Sequence, residues 1–274
     1  MRRIAHISDL HFGTEEVQVA EGLLDDLSRQ LPHLVAVSGD LTQRAKRSQF
    51  LAARAYLDRI AAPRLIVPGN HDIPLYNVLA RWTRPLSRYR QIITEDLHPF
   101  YQDSEIAVAG VNTARADTWK EGRISRTQID RLRVQFDGVP SDLFKVLVSH
   151  HPFIPPEHHV ETAVVGRARL ALKTLEASGC ALILSGHLHQ AYSGDVRPYH
   201  LEIARSILVA QAGTAISHRR RDEPNAYNQI TVDGERLDLE VRAWDGKEFA
   251  TASRREYRRT SNGWLADTGT TSDA

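Results

Sequence analysis

Six short apolar runs recur along the first two thirds of the chain, and turn residues or polar side chains end each run. Runs this short that lack polar alternation are typical of strands buried on both faces of a parallel sheet. Segments with helical spacing lie between them, so the pattern predicts an α/β fold. The predicted strands are residues 4–7, 34–37, 65–67, 106–109, 146–148 and 181–184.

Helical spacing is clearest in four segments between these runs. One of them opens with Ser125-x-x-Gln128, which is a capping-box pattern and predicts the start of a helix. The apolar positions of the other three are Leu23, Leu24, Leu27 and Leu31; Phe50, Ala53, Leu57 and Ile60; and Ala168, Ala171, Leu172 and Leu175.

The pattern changes after His189, where residues 207–210, 227–232 and 237–243 alternate with Asp-Gly turns. Hairpins of this kind predict a second sheet. We expect one large domain over residues 1–264 and a disordered tail over residues 265–274, which are almost all small or polar.

The charge balance restricts the class of partner. The chain has 35 Lys and Arg residues against 34 Asp and Glu, which argues against a stable nucleic-acid partner or a polybasic membrane surface. Cys180 is the single cysteine and lies in an apolar run, so we expect it to be buried in a reducing compartment. Without a signal-like or membrane-spanning run, the chain is expected to be cytoplasmic and not membrane-bound.

Five polar motifs follow predicted strands and carry the chemistry. Together they supply more nitrogen and oxygen ligands than one metal ion can use, including a carboxylate able to bridge two ions. Such a surplus favours two divalent cations side by side, an arrangement that activates water against phosphorus. The motifs are Asp9-x-His11, Gly39-Asp40, Gly69-Asn70-His71-Asp72, His150-His151-Pro152 and Gly186-His187-x-His189.

The spacing within two of these motifs suggests how ligands converge. Alternate side chains of an extended segment point the same way, so Asp9 and His11 are expected to reach one ion. By the same reasoning His187 and His189 form a chelating pair. Each motif alone is weak, because such residues are also ordinary in turns; their ordered combination favours a metal site.

The ordered set resembles the calcineurin-like metallophosphoesterase superfamily, and within it the bacterial cyclic-nucleotide and glycerophosphodiester phosphodiesterases. The resemblance implies a four-layer αββα sandwich in which two mixed β-sheets are flanked by helices. It also implies that Asp40 bridges two metal ions. The first ion would be held by Asp9, His11 and His189, and the second by Asn70, His150 and His187, with His151 as second choice to His150.

A mechanism follows from two cations about 3.5–4 Å apart, which lower the pKa of a shared water and polarise the phosphoryl oxygens. Hydroxide held by the metals then attacks phosphorus in line. His71 neighbours a ligand without being needed as one, so it is the candidate for protonating the leaving oxygen or steadying the pentacoordinate phosphorus. Asp72 either orients His71 or caps the turn.

Other polar residues have two open interpretations. His158 and His159 face solvent or line the substrate pocket, and the Arg219-Arg220-Arg221 run is a solvated loop or a source of phosphate contacts. Residues 77–99 are expected to form an insertion over the active face.

The sequence therefore predicts a dinuclear phosphodiesterase for a small diester, such as a cyclic nucleotide or a glycerophosphodiester. The alternatives are a nuclease or a pyrophosphate hydrolase at the same site, or a non-catalytic binding member of the fold. In the lipid-precursor pyrophosphatases that the chain also resembles, arginine usually stands where this chain has His71. Iron, manganese and zinc all suit the ligands, and a homodimer stays open because relatives often dimerise.

Overall fold

The computed structural model describes residues 1–156, 161–200, 202–220, 223–261 and 263–267. Two β-sheets form its centre. The seven-stranded sheet contains β1 (Arg2–Ile7), β2 (Leu34–Val37), β3 (Arg64–Ile66), β10 (Ala226–Asp233), β11 (Arg236–Trp244), β12 (Phe249–Thr260) and β13 (Gly263–Ala266). The six-stranded sheet contains β4 (Phe100–Gln102), β5 (Ile106–Val111), β6 (Phe144–Ser149), β7 (Cys180–Ser185), β8 (Tyr192–Asp195) and β9 (Leu208–Gln211).

Each sheet combines a parallel part with antiparallel strands. In the first sheet the order is β13-β12-β11-β10-β1-β2-β3, with β1, β2 and β3 parallel and the rest antiparallel. In the second the order is β4-β5-β6-β7-β9-β8, with β5, β6, β7 and β9 parallel. The carboxyl ends of parallel strands are where open α/β sheets place their sites.

Six α-helices occur among the described residues, and all but the third pack on the outer faces of the two sheets. The four long helices cover the segments that have helical spacing in the sequence, although Leu31 and Ile60 lie just beyond the ends of the first two. Ser125 forms the predicted capping box with Gln128 at the start of the third long helix. The helices are α1 (Val17–Gln30), α2 (Arg47–Leu57), α3 (Val78–Thr83), α4 (Ser87–Ile92), α5 (Arg126–Asp137) and α6 (Ala168–Ala177).

Three apolar clusters separate the layers. One fills the space between the sheets, with residues such as Ile4 of β1 facing Val146 of β6. A second lies under α1, α2 and α4, and a third lies under α5 and α6. The layers are therefore helix, sheet, sheet and helix, and the predicted αββα sandwich is confirmed.

The hairpins near the C-terminus correct one sequence-based prediction. We expected them to build a second sheet, but β10 pairs with β1, so β10 to β13 extend the sheet that the N-terminal strands begin. Strand β13 also reaches Ala266, so Leu265 and Ala266 belong to this sheet and not to the predicted tail. Residues 268–274 lie outside the described residues, and disorder there stays a prediction.

Two smaller expectations concern single features. Cys180 is buried, and burial raises the pKa of its thiol to about 12, so it is a packing residue at neutral pH. Within the described ranges, no helix is both long and apolar enough to span a bilayer.

One buried ion pair ties the first helix to the C-terminal hairpins. Asp26 of α1 is 0% exposed and accepts hydrogen bonds from Tyr227 (2.7 Å) and from Arg242 Nε (2.7 Å) and Nη2 (2.9 Å). Burial by itself would raise the pKa of Asp26, but the hydrogen bonds from Arg242 and Tyr227 outweigh it, so the pKa is lowered. The pair therefore stabilises the folded state with Asp26 ionised.

We expect Asp26→Asn to lower the free energy of unfolding by about 3 kcal/mol at pH 7, because it removes the fully buried counter-charge of Arg242 and leaves only the partly exposed Glu240, 3.4 Å from Nη1. The measurement is urea unfolding followed by circular dichroism. Since folding lowers the pKa of Asp26, the wild-type advantage is present above about pH 4 and is lost as the pH falls further.

The matched control is Glu21→Gln on the same helix, which removes an exposed pair with Arg59 and should leave the urea midpoint unchanged. Equal midpoints for Asp26→Asn and Glu21→Gln would show that the buried pair contributes nothing.

Candidate metal centre

The loops after five parallel strands bring the polar motifs together. Asp9, Asp40 and Asn70 follow β1, β2 and β3, while His150 and His187 follow β6 and β7. Hydrogen bonds from main-chain amides hold the loops in contact: His11 N donates to the carbonyl of Asp40 (2.9 Å), and His187 N donates to the carboxylate oxygen Oδ2 of Asp9 (3.0 Å). Ligands from both sheets therefore face one another across the seam between the sheets.

The first group consists of Asp9, His11 and His189, whose ligand atoms all lie within 4.8 Å of one another. Asp9 Oδ1 is 3.5 Å from His11 Nε2 and 3.7 Å from His189 Nε2. Asp9 Oδ2 instead accepts from Ser8 Oγ (2.6 Å), which fixes the carboxylate. Asp9 Oδ1 and both ring nitrogens of His11 are buried without a hydrogen-bond partner among the described residues, and buried polar atoms of this kind fit a bound cation.

The second group consists of Asn70, His150 and His187. Asn70 Oδ1 lies 3.0 Å from His150 Nε2 and 3.1 Å from His187 Nδ1, and those two nitrogens are 3.3 Å apart. Asn70 Nδ2 donates to the carbonyl of Trp119 (3.5 Å), which turns the amide oxygen toward the histidines. An oxygen and two imidazole nitrogens so placed suit a divalent transition metal.

Asp40 lies between the two groups. Its Oδ2 atom is 3.8 Å from His11 Nε2 in the first group and 3.4 Å from His150 Nε2 in the second. Its Oδ1 atom accepts from His71 N at 2.8 Å, so the carboxylate cannot turn away. Asp40 therefore contacts both groups of candidate ligands.

Residues around the ligands set the imidazole orientations. His150 Nδ1 donates to the carbonyl of Ser38 (2.8 Å), which leaves Nε2 to face Asn70 and Asp40. His189 Nδ1 is bonded to Thr214 Oγ1 (2.6 Å), which leaves Nε2 to face Asp9. A partner on one ring nitrogen fixes the tautomer that exposes the other to a metal.

The ligand loops have an unusual backbone. Left-handed φ values cost a non-glycine residue about 1–3 kcal/mol and persist where the surroundings impose them. Five of the eight such residues in the described chain are predicted ligands: Asp9 (54°), His11 (47°), Asp40 (52°), His187 (76°) and His189 (60°). The extended geometry that the sequence suggested for Asp9 with His11, and for His187 with His189, is therefore wrong.

His187 and His189 also do not form the predicted chelating pair for a single ion. His187 lies with Asn70 and His150, whereas His189 lies with Asp9 and His11. The left-handed turns direct the two rings to different groups, which agrees with the assignment that the family resemblance implies.

The motif glycines are explained by close contacts. A Cβ on Gly69 would lie 2.1 Å from Asp40 Oδ1, and a Cβ on Gly186 would lie 1.8 Å from Ser8 Oγ and 2.6 Å from Asp9 Oδ2. Gly39 has φ +96°, and a Cβ there would lie 2.8 Å from His150 Nδ1. These positions therefore require glycine so that the carboxylates and imidazoles can approach one another.

Charges within the site are strongly coupled. Burial favours the neutral form of the carboxyls, yet His189 near Asp9 and His150 near Asp40 outweigh it, so both carboxyl pKa values lie below the ordinary value. Burial by itself would lower the pKa of His150, but the charge of Asp40 and its hydrogen bond outweigh burial and raise this pKa to about 9. Burial lowers the pKa of His187 to about 3. The carboxylates are thus ionised and the second group offers a neutral nitrogen ligand.

The remaining predicted residues occupy supporting positions. His71 has a ring nitrogen within 4.8 Å of ligand atoms of His11 and Asp40. Asp72 accepts from Gly69 N (3.0 Å), Thr42 N (3.0 Å) and Thr42 Oγ1 (3.0 Å), so it caps the turn and joins two loops.

His151 is buried behind the site. Its Nδ1 is 2.7 Å from Thr113 Oγ1, and its ring centroid is 4.7 Å from that of His187. One of its nitrogens also lies within 4.8 Å of ligand atoms of His150 and His187. We therefore retain it as a residue that packs against and supports the second group.

Sequence reasoning missed several supporting residues. Ser38 and Thr214 orient two imidazoles, and nothing in their local sequence signals this. The arginine run, by contrast, was noticed in the sequence with two open interpretations, and the structure separates its first two members. Arg219 is half-buried at the site, with Nη1 3.1 Å from His71 Nε2, whereas Arg220 Nη1 is 3.1 Å from Glu16 Oε1. His158, His159 and Arg221 lie outside the described residues.

Residues 77–99 contain α3 and α4, and their being an insertion over the active face stays a prediction. Arg81 of α3 is buried and donates to the carbonyls of Pro74, Ala116 and Thr118. It thereby joins the segment after His71 to the loop that contains Trp119, which contacts Asn70.

Comparison with known proteins assigns the family. The model of the calcineurin-like phosphoesterase family matches residues 2–191. The chain belongs to this family and is a metal-dependent phosphoester hydrolase.

Curated relatives add a likeness to diesterases. A "probable cyclic nucleotide phosphodiesterase" of Synechococcus sp. is 26% identical over 212 residues, which cover 69% of this chain and 74% of that protein. Another of Pseudoalteromonas sp. is 22% identical over 88% of this chain and 91% of its own. The glycerophosphodiester phosphodiesterase GpdQ of Enterobacter lignolyticus is 35% identical, but only over 25% of this chain and 29% of its own.

Solved structures share the fold at low identity. A purple acid phosphatase of yellow lupin superposes with a TM-score of 0.69 at 13% identity, covering 91% of this chain and 52% of that one. A dimetal phosphatase of Danio rerio gives 0.63 at 13% identity, covering 91% and 98%. This chain thus spans about half of the lupin protein.

We expect Gly69→Ala to reduce bound metal and to lower phosphoesterase kcat/KM by about 100-fold or more, because the new Cβ displaces the Asp40 carboxylate. The φ of Gly69 is −106°, so alanine suffers no backbone strain and the effect is one of contact alone. Metal content by plasma mass spectrometry and turnover of an aryl phosphoester measure it.

Gly213→Ala is the matched control, because its Cβ would meet only ordinary contacts at 3.7 Å or more. If Gly69→Ala retained metal and activity as Gly213→Ala should, the crowded arrangement around Asp40 would be wrong.

Proposed function

We propose that the protein is a dinuclear phosphodiesterase that hydrolyses a small diester such as a cyclic nucleotide or a glycerophosphodiester. The observation that carries the proposal is the position of Asp40 Oδ2 between two groups of ligands, 3.8 Å from His11 Nε2 and 3.4 Å from His150 Nε2. A single ion would leave one group of buried ligands without a cation.

In this proposal the first ion is held by Asp9, His11 and His189, the second by Asn70, His150 and His187, and both by Asp40. The donor set mixes imidazole nitrogens with carboxylate and amide oxygens, and iron, manganese and zinc all fit such a set. When bound, two such ions lower the pKa of a water between them and polarise the phosphoryl oxygens of the substrate.

His71 is our catalytic candidate. Its main-chain N–H is held by Asp40 (2.8 Å) and its Nδ1 by the carbonyl of Gln43 (3.0 Å), so the ring is fixed beside the first group. Its ring centroid is 4.9 Å from that of His11, with the two rings nearly perpendicular. From there it protonates the leaving oxygen or donates a hydrogen bond to the pentacoordinate phosphorus centre.

A small diester is favoured over other phosphoesters by two observations. Three relatives that cover 69%, 88% and 84% of this chain are named as probable cyclic nucleotide phosphodiesterases. The chain also has a net charge of only +1, which speaks against a nuclease that grips a long polyanion. Retention of all seven ligands argues against a non-catalytic role, since such members tend to lose them.

We expect the metal-loaded protein to hydrolyse bis-p-nitrophenyl phosphate with a higher kcat/KM than p-nitrophenyl phosphate. Chelation should abolish both activities, and added Mn²⁺ should restore them. His71→Ala should lower kcat for the diester by about 10²–10⁴-fold, because proton transfer or charge stabilisation at the leaving oxygen is lost.

The same assay distinguishes the outcomes. Full activity after metal removal would contradict a metal-assisted reaction, and a preference for the monoester would contradict the diesterase assignment. A stoichiometry of one tightly bound metal per active chain would contradict the dinuclear site.

A further inference from the structure

Arg219 lies in the loop between β9 and β10 and reaches the candidate metal centre. Its Nη1 atom is 3.1 Å from His71 Nε2, 3.4 Å from His71 Nδ1 and 3.1 Å from Gln43 Oε1. The guanidinium group thus lies against the ring of His71, which itself is beside His11 and Asp40.

The hydrogen-bond pattern leaves much of this guanidinium group available. His71 Nδ1 faces the carbonyl of Gln43 and so carries a hydrogen, and in the neutral ring Nε2 accepts from Arg219. When Arg219 binds a phosphoryl oxygen instead, Nε2 is released to carry the proton that the proposed role of His71 requires. Arg219 Nε and Nη2 donate to no atom of the described residues. No carboxylate of the described residues lies within 4 Å of the Arg219 guanidinium nitrogens. Among the residues that the structure describes, most of its five donors therefore have no partner and are available to an anion.

The neighbouring arginine shows the contrast. Arg220 Nη1 is 3.1 Å from Glu16 Oε1 and 2.7 Å from Asn225 Oδ1, so its charge is compensated by an acid away from the site. A cation that no described carboxylate neutralises, beside a phosphoesterase centre, attracts an anionic ligand, whereas a paired cation on the loop surface does so less.

The position of Arg219 is fixed by the same residue that orients a candidate ligand. Thr214 Oγ1 donates to the carbonyl of Arg219 (3.2 Å) and accepts from His189 Nδ1 (2.6 Å). Asn225 Nδ2 donates to the carbonyls of Thr214 (3.2 Å) and Ser217 (2.8 Å) and so holds the loop. The guanidinium group is therefore preorganised relative to the first ligand group.

We propose that Arg219 is a catalytic residue that binds a non-bridging oxygen of the substrate phosphoryl group and stabilises the charge that this oxygen gains in the transition state. The inference rests on the proposed phosphodiesterase function and assigns the recognition of a phosphate monoanion to a particular side chain. Guanidinium groups suit this task because their planar donors match phosphate geometry. On substrate binding, the free donors contact the phosphoryl oxygen, while Gln43 keeps the group in place.

The first experiment compares Arg219→Gln, Arg219→Lys and the control Arg220→Gln in hydrolysis of bis-p-nitrophenyl phosphate by the metal-loaded protein. We expect kcat/KM to fall about 10²–10³-fold for Arg219→Gln, chiefly through kcat, and to change less than about twofold for Arg220→Gln. Arg219→Lys should recover only part of the loss, because an ammonium keeps the charge but not the planar donors.

The second experiment measures the binding of inorganic phosphate to the same metal-loaded proteins by titration calorimetry, with metal content determined in parallel. Loss of a charged hydrogen bond should weaken phosphate binding by about 10–100-fold in Arg219→Gln and leave Arg220→Gln close to wild type. Bound metal should be equal in all variants, which a merely structural role of Arg219 would not predict.

The two experiments separate failure of this inference from failure of the proposed function. If the wild type binds metal and phosphate but hydrolyses no diester, the phosphodiesterase assignment fails while the phosphate titration still tests Arg219. If Arg219→Gln matches Arg220→Gln in kcat/KM and in phosphate affinity, the inference is overturned. Loss of metal from Arg219→Gln and Arg219→Lys alike would also overturn it, since Arg219 would then act on the ligands.

Discussion

Two buried carboxylates in one enclosed space are the constraint on which the rest of the structure depends. Asp9 and Asp40 are 0% and 1% exposed, and each is ionised among imidazoles. Burial of two like charges is costly unless positive charge lies between them. Because Ser8 and the amide of His187 hold one oxygen of Asp9, and the amide of His71 holds one oxygen of Asp40, the remaining oxygens face the ligand groups.

The site is divided between the two sheets. Loops of the first sheet supply Asp9, His11, Asp40 and Asn70, and loops of the second supply His150, His187 and His189. The distance between these sets depends on the apolar layer between the sheets, in which Ile4, Leu34 and Val146 are fully buried. Close packing there makes the spacing of the ligands a property of the core and not of the loops alone.

Much of the site could be predicted because its signals are local. Each ligand follows a short apolar run, and strand ends of parallel sheets meet at one edge. The backbone at Asp9 and His11 could not be predicted, because a left-handed conformation of a non-glycine residue is imposed by surrounding contacts. The same holds for Arg219 and Arg220, which are adjacent and chemically identical, so that only the fold distinguishes them.

The sequence also could not predict which strands belong to the same sheet. The turns at Gly234 and Gly246 were readable as hairpins, but the register that joins β10 to β1 connects residues more than two hundred positions apart. No local pattern encodes such a pairing. The long strand β12 was also missed, because its exposed face is rich in charge and its apolar residues are few.

The place of β1 in the strand order has a consequence for how the molecule forms. This strand lies between β2 and β10, and its residue Arg2 pairs with Val232. The N-terminal half of the chain can therefore pair β1 only with β2. Pairing of β1 with β10 brings together residues that are far apart in the sequence, and contacts of this kind form slowly. Asp9 and His11 lie directly beyond this strand, so we expect the complete set of ligands to form only late in folding, and a cation captured earlier to meet part of that set.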